Sequence, residues 1–321
     1  MFSVTQKEEG GFEKIVLQDE TNRVEIIPNC GAILNAWHVL VNGHWINVID
    51  GYESEEVFRK HCESKGFRSC KLSPYVCRIN KGMYRFNGVD YKIGKFGFDE
   101  NSIHGLMYNV AFDVVHQHAD EMIAMVQLEI CYAATDAGFP FQYTIMVEYI
   151  LQAGNSLTLN TSVLNQHDDV IPMADGWHPY FTLGDTINQY TFKMASDTML
   201  EFNDKLIPTG EVVPFKKFQA PELIADTFLD NSFLLKHPLA GAACTLTNPQ
   251  QKIQLDILPE PSYPILQVYT PNHRNSIAIE NLSAAPDAFN NTIGLLYLEP
   301  NETKTFSVTY KISSVEPTIT W

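Results

Sequence analysis

Two residues in this sequence have the side chains and the surroundings that acid–base chemistry needs. His178 stands inside an aromatic segment, residues 177–181, and its imidazole can change charge near neutral pH. Glu280 ends the apolar run 277–279, where a strand is expected to lead inward and where a buried carboxylate needs a partner. From these residues alone, a core histidine in an aromatic cluster is an equally good interpretation of His178, and an ordinary strand-end glutamate facing water is the favoured interpretation of Glu280.

Motifs for other common chemistries are absent from the sequence. It contains no Walker-type phosphate loop, no GxSxG nucleophile elbow and no HExxH zinc motif. His116 and His118 would share one face of a strand and could bind a metal, but no clear further ligands accompany them. A pair of surface histidines is therefore the favoured interpretation, and no metal is predicted.

Composition restricts the class of protein. The chain has 321 residues, of which 45% are apolar and 19% charged, enough for a folded core. A net charge of -16 disfavours nucleic acid and anionic membranes as partners, and no apolar run approaches the ~18 residues of a transmembrane helix. Because the six cysteines form no CxxC pair and the N-terminus lacks a secretory signal, we expect reduced thiols in a cytoplasmic protein.

Strands must position the candidate residues, because apolar residues recur with a period of two. Five runs show this alternation most clearly and predict half-buried strands, at residues 122–130, 143–151, 157–163, 253–257 and 306–312. The dipeptides Asn42-Gly43 and Asn87-Gly88 are typical of tight hairpins, and residues 54–65 could hold one short helix. The pattern predicts an all-β sandwich or barrel, as a single domain over residues 1–321, although a two-lobed sandwich stays open.

Several segments together resemble the aldose 1-epimerase (galactose mutarotase) family in their order and spacing. They are Cys77-Arg78-Ile79 with Gly82, then His104-Gly105, His178-Pro179-Tyr180-Phe181, Asp230-Asn231-Ser232-Phe233, and Glu280 with Pro286-Asp287-Ala288. The resemblance implies the family fold, a large antiparallel β-sandwich (galactose mutarotase-like supersandwich). It also implies His178 as general acid, Glu280 as general base, and Arg78, His104 and Asp230 as substrate-binding residues.

The sequence departs from the family pattern near these segments. Ser73-Pro74 stands where a Gly-Arg pair is usual, Cys77 replaces an asparagine, and Asn231 replaces a histidine. The departures leave the acid–base pair intact and fall where sugar hydroxyls are expected. The neighbouring aromatic residues Trp177, Tyr180 and Phe181 are candidates for a wall that stacks on a sugar. Core packing is the alternative interpretation of all three and is at least as good for Phe181.

The implied reaction is the interconversion of the α and β anomers of a free hexose such as glucose or galactose, by ring opening. A base removes the proton of the C1 hydroxyl while an acid protonates the ring oxygen, so the scheme requires neither a metal nor an organic cofactor. With an ordinary pKa of about 6.5, His178 would need a nearby carboxylate, Asp230 or Glu280, to stay protonated. The partner is thus a small monosaccharide, bound by a monomer or homodimer.

Two alternatives stay open at this stage. A hexose-6-phosphate 1-epimerase would need a cationic phosphate cradle beyond Arg78, for which the sequence offers Lys71, Lys81, Arg85 and Lys95. Solvated charges at strand edges are the favoured interpretation of these four residues. A non-catalytic carbohydrate-binding protein would be expected to lack the acid or the base. The presence of both His178 and Glu280 favours an enzyme.

Overall fold

The computed structural model describes residues 1–95 and 100–315 and consists mainly of β-strands. The first part of the chain forms β1 (Ser3–Glu9), β2 (Phe12–Gln18), β3 (Asn22–Ile27), β4 (Ile33–Val41), β5 (His44–Asn47), α1 (Glu55–His61), β6 (Lys71–Leu72), β7 (Arg78–Ile79), β8 (Met83–Phe86), β9 (Val89–Lys92), β10 (Ser102–Ile103), β11 (Asp113–Ala119), β12 (Ile123–Tyr132), β13 (Tyr143–Gln152) and β14 (Ser156–Asn165). The second part forms β15 (Ile171–Met173), β16 (Gly176–Trp177), β17 (Tyr180–Phe181), β18 (Thr191–Met194), β19 (Thr198–Phe202), β20 (Pro208–Pro214), β21 (Glu222–Leu223), β22 (Asp230–Leu234), β23 (Cys244–Asn248), β24 (Ile253–Pro259), β25 (Ile265–Tyr269), β26 (Ile277–Leu282), α2 (Ala288–Asn291), β27 (Leu296–Leu298) and β28 (Thr303–Ser314). No helix in these described ranges is long and apolar enough to cross a membrane.

Three large antiparallel sheets make up the architecture. The first has five strands, β1 to β5 in order, and the second has nine, in the order β11-β12-β13-β14-β28-β24-β23-β18-β21. The third has the order β20-β19-β22-β25-β26-β16-β6, and β17 also pairs with β26. This arrangement confirms the predicted all-β class and the large antiparallel sandwich.

The five predicted strands are β12, β13, β14, β24 and β28, and their alternation reflects burial. In β12, for example, Ala124, Val126 and Leu128 are fully buried, while the residues between them are half-exposed. One cluster of buried apolar side chains draws on all three large sheets and includes Val24 of β3 and Val268 of β25. The hydrophobic effect, about 25 cal/mol per Å² of apolar surface buried, therefore holds the sheets against one another.

Local sequence signals fix the turns and the first helix where they were predicted. Asn42-Gly43 and Asn87-Gly88 join β4 to β5 and β8 to β9, with φ values of 52° and 81° and of 47° and 80°, as a two-residue hairpin requires. The predicted helix is α1, which begins after Ser54, whose side chain accepts a hydrogen bond from Val57 N at 3.2 Å. Helix α1 and the segment that follows it contribute Phe58, Cys62 and Phe67 to a smaller apolar cluster, which also contains Phe12 and Ile27 of the first sheet.

Candidate active site

Strands β22, β25 and β26 present a row of polar side chains on one face of the third sheet. The register places Asp230 opposite Tyr269, and Gln267 opposite Glu280. Because residues two apart on a strand share a face, these four side chains point to the same side. All four line a cleft of about 310 Å³, a volume within the range of small-molecule sites.

His178 enters the same cleft from the connection between β16 and β17. Its backbone is fixed on both sides, because His178 N donates to Cys70 O at 3.1 Å and Ser69 N donates to His178 O at 2.8 Å. His178 Nε2 lies 3.3 Å from Glu280 Oε1. The ring of Tyr180 stacks on the imidazole at 5.3 Å between centroids and 14° between planes. The two residues singled out by sequence are therefore in direct contact.

Arg78 and His104 form another wall of the cleft. They come from the paired strands β7 and β10 and the turn that follows, where His104 N donates to Cys77 O at 2.8 Å. The His104 ring meets the His178 ring edge to face, with centroids 4.7 Å apart. Of the seven residues predicted for the site, six line the cleft: Arg78, His104, His178, Tyr180, Asp230 and Glu280.

Trp177 is the exception, and its predicted role in stacking on a sugar is wrong. Its ring is buried in the core between the sheets, where Nε1 donates to Thr161 Oγ1 at 3.1 Å. Neighbouring residues of a strand point to opposite faces, so a cleft-facing His178 requires a core-facing Trp177. Phe181 also lies in the core, 5.3 Å from the ring of Tyr310, in agreement with its packing interpretation.

The four cations considered for a phosphate cradle do not gather at the cleft. Lys71 is fully buried in an ion pair with Asp175, and Lys95 Nζ lies over the ring of Tyr108, 3.7 Å from its centroid. Arg85 pairs with Asp90 at 2.7 Å on the β8–β9 hairpin, and Lys81 is exposed. Among the described residues that line the cleft, Arg78 is the sole lysine or arginine.

No metal site is evident in residues 1–95 and 100–315, where no three His, Cys, Asp or Glu side chains are placed to hold an ion. His116 and His118 lie on β11, and His118 Nε2 instead contacts Asp120 Oδ2 at 3.0 Å.

Burial shifts the pKa values of His178 and Glu280 in opposite directions. Desolvation raises the pKa of Glu280 well above its ordinary value; the nearby Asp230 carboxylate adds to this rise and Arg78 opposes it. Desolvation also lowers the pKa of His178 to about 4, with a smaller contribution from Arg78. The expectation that a nearby carboxylate keeps His178 protonated is therefore not met in the free cleft, where desolvation is the larger effect.

The 3.3 Å contact itself favours the opposite distribution, a charged imidazolium beside a carboxylate. Both distributions contain one proton, which lies on Glu280 in the neutral pair and on His178 in the ion pair. Between the His178 pKa of about 4 and the raised Glu280 pKa the pair thus holds a single proton, and moving it between the two side chains interchanges the two states.

Gln267 is a cleft residue that the sequence analysis missed. Its Oε1 accepts from Ser232 Oγ at 2.5 Å, so its Nε2 points to Asp230 Oδ1, to which it donates at 2.9 Å. This chain of hydrogen bonds orients the Asp230 carboxylate. The sequence did contain a signal for this residue, because the polar Gln267 interrupts the apolar run 265–268, much as Glu280 ends the apolar run 277–279.

Three buried polar atoms around the cleft have no hydrogen-bond partner among the described residues. They are His178 Nδ1, His104 Nδ1 and Glu280 Oε2. Buried polar atoms are nearly always paired in folded proteins, so an unpaired group of this kind points to a polar ligand. Donors and acceptors on several sides, with a proton-sharing pair among them, suit a molecule that carries many hydroxyl groups.

Comparisons with known proteins agree with this geometry. A family model described as aldose 1-epimerase matches residues 13–311. The chain is 28% identical over 239 residues to the uncharacterized protein YihR of Escherichia coli (strain K12), covering 71% of this chain and 73% of that protein. It is 27% identical over 210 residues to the galactose mutarotase of Homo sapiens, covering 64% and 58%.

Solved structures show the same fold at lower identity. A galactose mutarotase-like protein from Clostridium acetobutylicum matches with a TM-score of 0.87 and 17% identity, covering 98% of this chain and 99% of that one. A galactose 1-epimerase from Lactobacillus acidophilus NCFM matches with a TM-score of 0.81 and 19% identity, covering 98% and 99%.

Proposed function

We propose, from the premise that this chain belongs to the aldose 1-epimerase family, that it interconverts the α and β anomers of a free hexose such as glucose or galactose. Members of the family are isomerases, and the chain is an enzyme of this class. The observation that carries the proposal is the 3.3 Å contact between His178 Nε2 and Glu280 Oε1 inside a cleft that also holds Arg78 and Asp230.

The reaction needs one proton to leave the sugar and another to arrive. In the ion-pair state, the Glu280 carboxylate takes the proton of the C1 hydroxyl, and the His178 imidazolium protonates the ring oxygen as the bond from C1 to that oxygen breaks. The product is an open-chain aldehyde, which turns about its C1–C2 bond and closes on the other face with the two roles exchanged. The pair has gained and lost one proton, so it returns ready for another cycle.

The remaining cleft residues bind and orient the sugar in this scheme. Arg78 supplies several fixed N–H donors to hydroxyl oxygens, and Asp230 accepts from hydroxyl groups in an orientation set by Gln267. Burial, with the neighbouring His178 and Arg78, lowers the pKa of His104 well below its ordinary value, so this ring is neutral and can both donate and accept. Tyr180 packs on the imidazole and holds its plane.

A neutral sugar fits the cleft better than a sugar phosphate. The described lining residues place the carboxylates of Glu63 and Asp230 against the single guanidinium of Arg78, and the His178–Glu280 pair, which holds one proton, adds no net charge. We therefore expect the kcat/KM for glucose or galactose to be at least about tenfold higher than the kcat/KM for glucose 6-phosphate. The negative charge of the substrate phosphate would lie at short range from carboxylates that repel it. Polarimetry on each pure anomer, corrected for the uncatalysed rate, measures this.

The two alternatives give distinct results in the same assay. Preference for glucose 6-phosphate would overturn the proposal in favour of a phosphorylated substrate. Calorimetric binding of glucose with no acceleration of mutarotation would indicate a carbohydrate-binding protein instead.

The opposite pKa shifts predict which side chain sets each limb of the pH profile of kcat/KM. The His178–Glu280 pair can catalyse the reaction only when it holds one proton. As the pH falls, a second proton binds near the His178 pKa of about 4, and as the pH rises, the one shared proton is lost at the raised Glu280 pKa. In water the corresponding limbs would lie near about 4.3 and 6.5. In water the acid limb would belong to the glutamate and the alkaline limb to the histidine, whereas burial, with the charges of Asp230 and Arg78, assigns the acid limb to His178 and the alkaline limb to Glu280.

We expect kcat/KM to stay constant from about pH 5 up to the raised Glu280 pKa, with the acid limb near the His178 pKa of about 4. A buffer series followed by polarimetry measures the profile. An acid limb near about pH 6.5, the ordinary histidine value, would contradict the lowered pKa of His178.

A further inference from the structure

We propose that Cys62 and Cys70 form a peroxide-oxidisable dithiol site, and that the disulfide formed between them slows catalysis in the adjoining cleft. Their sulfur atoms lie 3.5 Å apart in the smaller apolar cluster under α1. Both thiols are free, and neither takes part in the proton transfers described above. The inference concerns control of the site and adds a modification to the proposed function.

The backbone brings these two sulfurs together. Between α1 and β6 the chain turns back on itself through Gly66, Phe67 and Ser69, whose φ values of 82°, 54° and 56° are left-handed. Phe67 N donates to Cys62 O at 2.8 Å, and Cys70 N donates to Phe67 O at 3.1 Å. A disulfide needs sulfurs about 2.05 Å apart, so they must approach one another by about 1.5 Å.

The two thiols are placed for different roles. Cys62 is 5% exposed and lines a surface hollow beside Arg59 and Tyr108, whereas Cys70 is fully buried. Hydrogen bonds from Cys70 and from the Tyr52 hydroxyl lower the pKa of Cys62 despite its burial. Desolvation raises the pKa of Cys70 well above its ordinary value. Reactivity follows thiolate character and access, so Cys62 is the attacking thiol and Cys70 the resolving one.

Hydrogen peroxide is the oxidant that this access allows. The Cys62 thiolate attacks one peroxide oxygen, the O–O bond breaks, and the released hydroxide takes the thiol proton to leave as water, giving a sulfenic acid. Cys70 then attacks the Cys62 sulfur, the S–S bond forms, the S–O bond breaks, and the departing hydroxide leaves as a second water with the Cys70 proton. Two thiols and one peroxide thus give one disulfide and two waters, with two electrons passing to the peroxide.

The oxidised segment would act on the cleft through its contacts with three cleft residues, His104, Tyr180 and His178. The ring of Phe67 lies 4.7 Å from that of His104. Gly66 lies against Tyr180, whose hydroxyl oxygen would be only 2.5 Å from an added Cβ. Ser69 and Cys70 make the two backbone hydrogen bonds that hold His178. Since a displacement of about 1 Å can cost about 100-fold in rate, we expect oxidation to lower kcat/KM at least about tenfold.

The test treats the full-length protein with hydrogen peroxide and measures two quantities. Peptide mapping should find a Cys62–Cys70 disulfide with the loss of two hydrogens, whatever the preferred sugar is. Mutarotation of glucose or galactose should fall at least about tenfold and return on reduction with dithiothreitol. Absence of the cross-linked peptide overturns the dithiol site, and a cross-linked protein with an unchanged rate overturns its coupling to the cleft.

Variants separate this pair from the other cysteines. Cys62→Ser should keep its own untreated rate after peroxide, whereas Cys131→Ser, a change at an exposed residue on β12, should respond as the wild type does. If peroxide lowers the activity of Cys62→Ser as much as it lowers that of the wild type, the effect belongs to another residue, such as the cleft-lining Cys77, and the proposal is overturned. Mapping the disulfide in the wild type keeps the test decisive if Cys62→Ser does not fold.

Discussion

Replacement of Glu280 with glutamine should lower kcat/KM for anomer interconversion by about 100- to 10,000-fold. The amide has nearly the shape of the carboxylate and can still accept a hydrogen bond from His178, whose Nε2 lies 3.3 Å from Oε1. It cannot take the proton of the C1 hydroxyl, so ring opening loses its base. Polarimetry on a pure anomer of glucose or galactose measures the loss.

The same change should not destabilise the protein. The pKa of the buried Glu280 is raised, so the folded state disfavours the ionised carboxylate, and this penalty grows as pH rises above the ordinary glutamate value. Glutamine removes that penalty, so we expect a melting temperature at neutral pH equal to or above that of the wild type. Glu211→Gln, a change at an exposed residue on β20, is the matched control and should leave activity unaltered. Wild-type rates in Glu280→Gln would sink the mechanism.

Much of the architecture follows from local sequence. Period-two alternation found the long strands, because burial on one face imposes that period, as in Ala124, Val126 and Leu128. The Asn-Gly turns and the helix beginning after Ser54 were found because their signals lie within a few residues. The order of the strands in the sheets, such as β28 beside both β14 and β24, depends on pairings between distant segments and was not predictable from these signals.

The candidate site shows the same division between local and distant information. Alternation puts His178 and Tyr180 on the cleft face and Trp177 and Phe181 in the core, so the misplacement of Trp177 was avoidable by the rule used for the long strands. The pairing with β26, the strand that carries Glu280, determines which face of this segment meets the cleft. Strand β26 lies more than 90 residues away in sequence.

Buried polar partners are the part that sequence could not supply. Lys71 looked like a surface cation, yet it lies fully buried against Asp175, whose other carboxylate oxygen accepts from the Tyr263 hydroxyl at 2.8 Å. The contact of Cys62 with Cys70 likewise depends on left-handed residues in the intervening turn. In both cases the sequence shows the type of side chain. It does not show the distant partner or the local backbone conformation that changes the chemistry of that side chain.

Replacement of His178 with glutamine should also lower kcat/KM by about 100- to 10,000-fold, because the ring oxygen then loses its proton donor. The amide keeps a polar group near the position of Nε2, but its N–H protons are far too weakly acidic to be transferred to the ring oxygen. The acid limb of the pH profile, which follows the His178 pKa of about 4, should disappear from any residual activity. A limb that persists near that pH would assign it to a different group.

The double variant distinguishes a coupled pair from two independent catalysts. His178 and Glu280 share one proton across a 3.3 Å contact, so loss of either should disable the cycle. Residues that act as a unit show strongly non-additive effects, and we therefore expect the double glutamine variant to be no more than a few-fold slower than the slower single variant. His116→Gln, on the exposed edge strand β11, is the matched histidine control and should retain wild-type activity. If the two losses instead multiply, the side chains act separately and the shared proton has no part in catalysis.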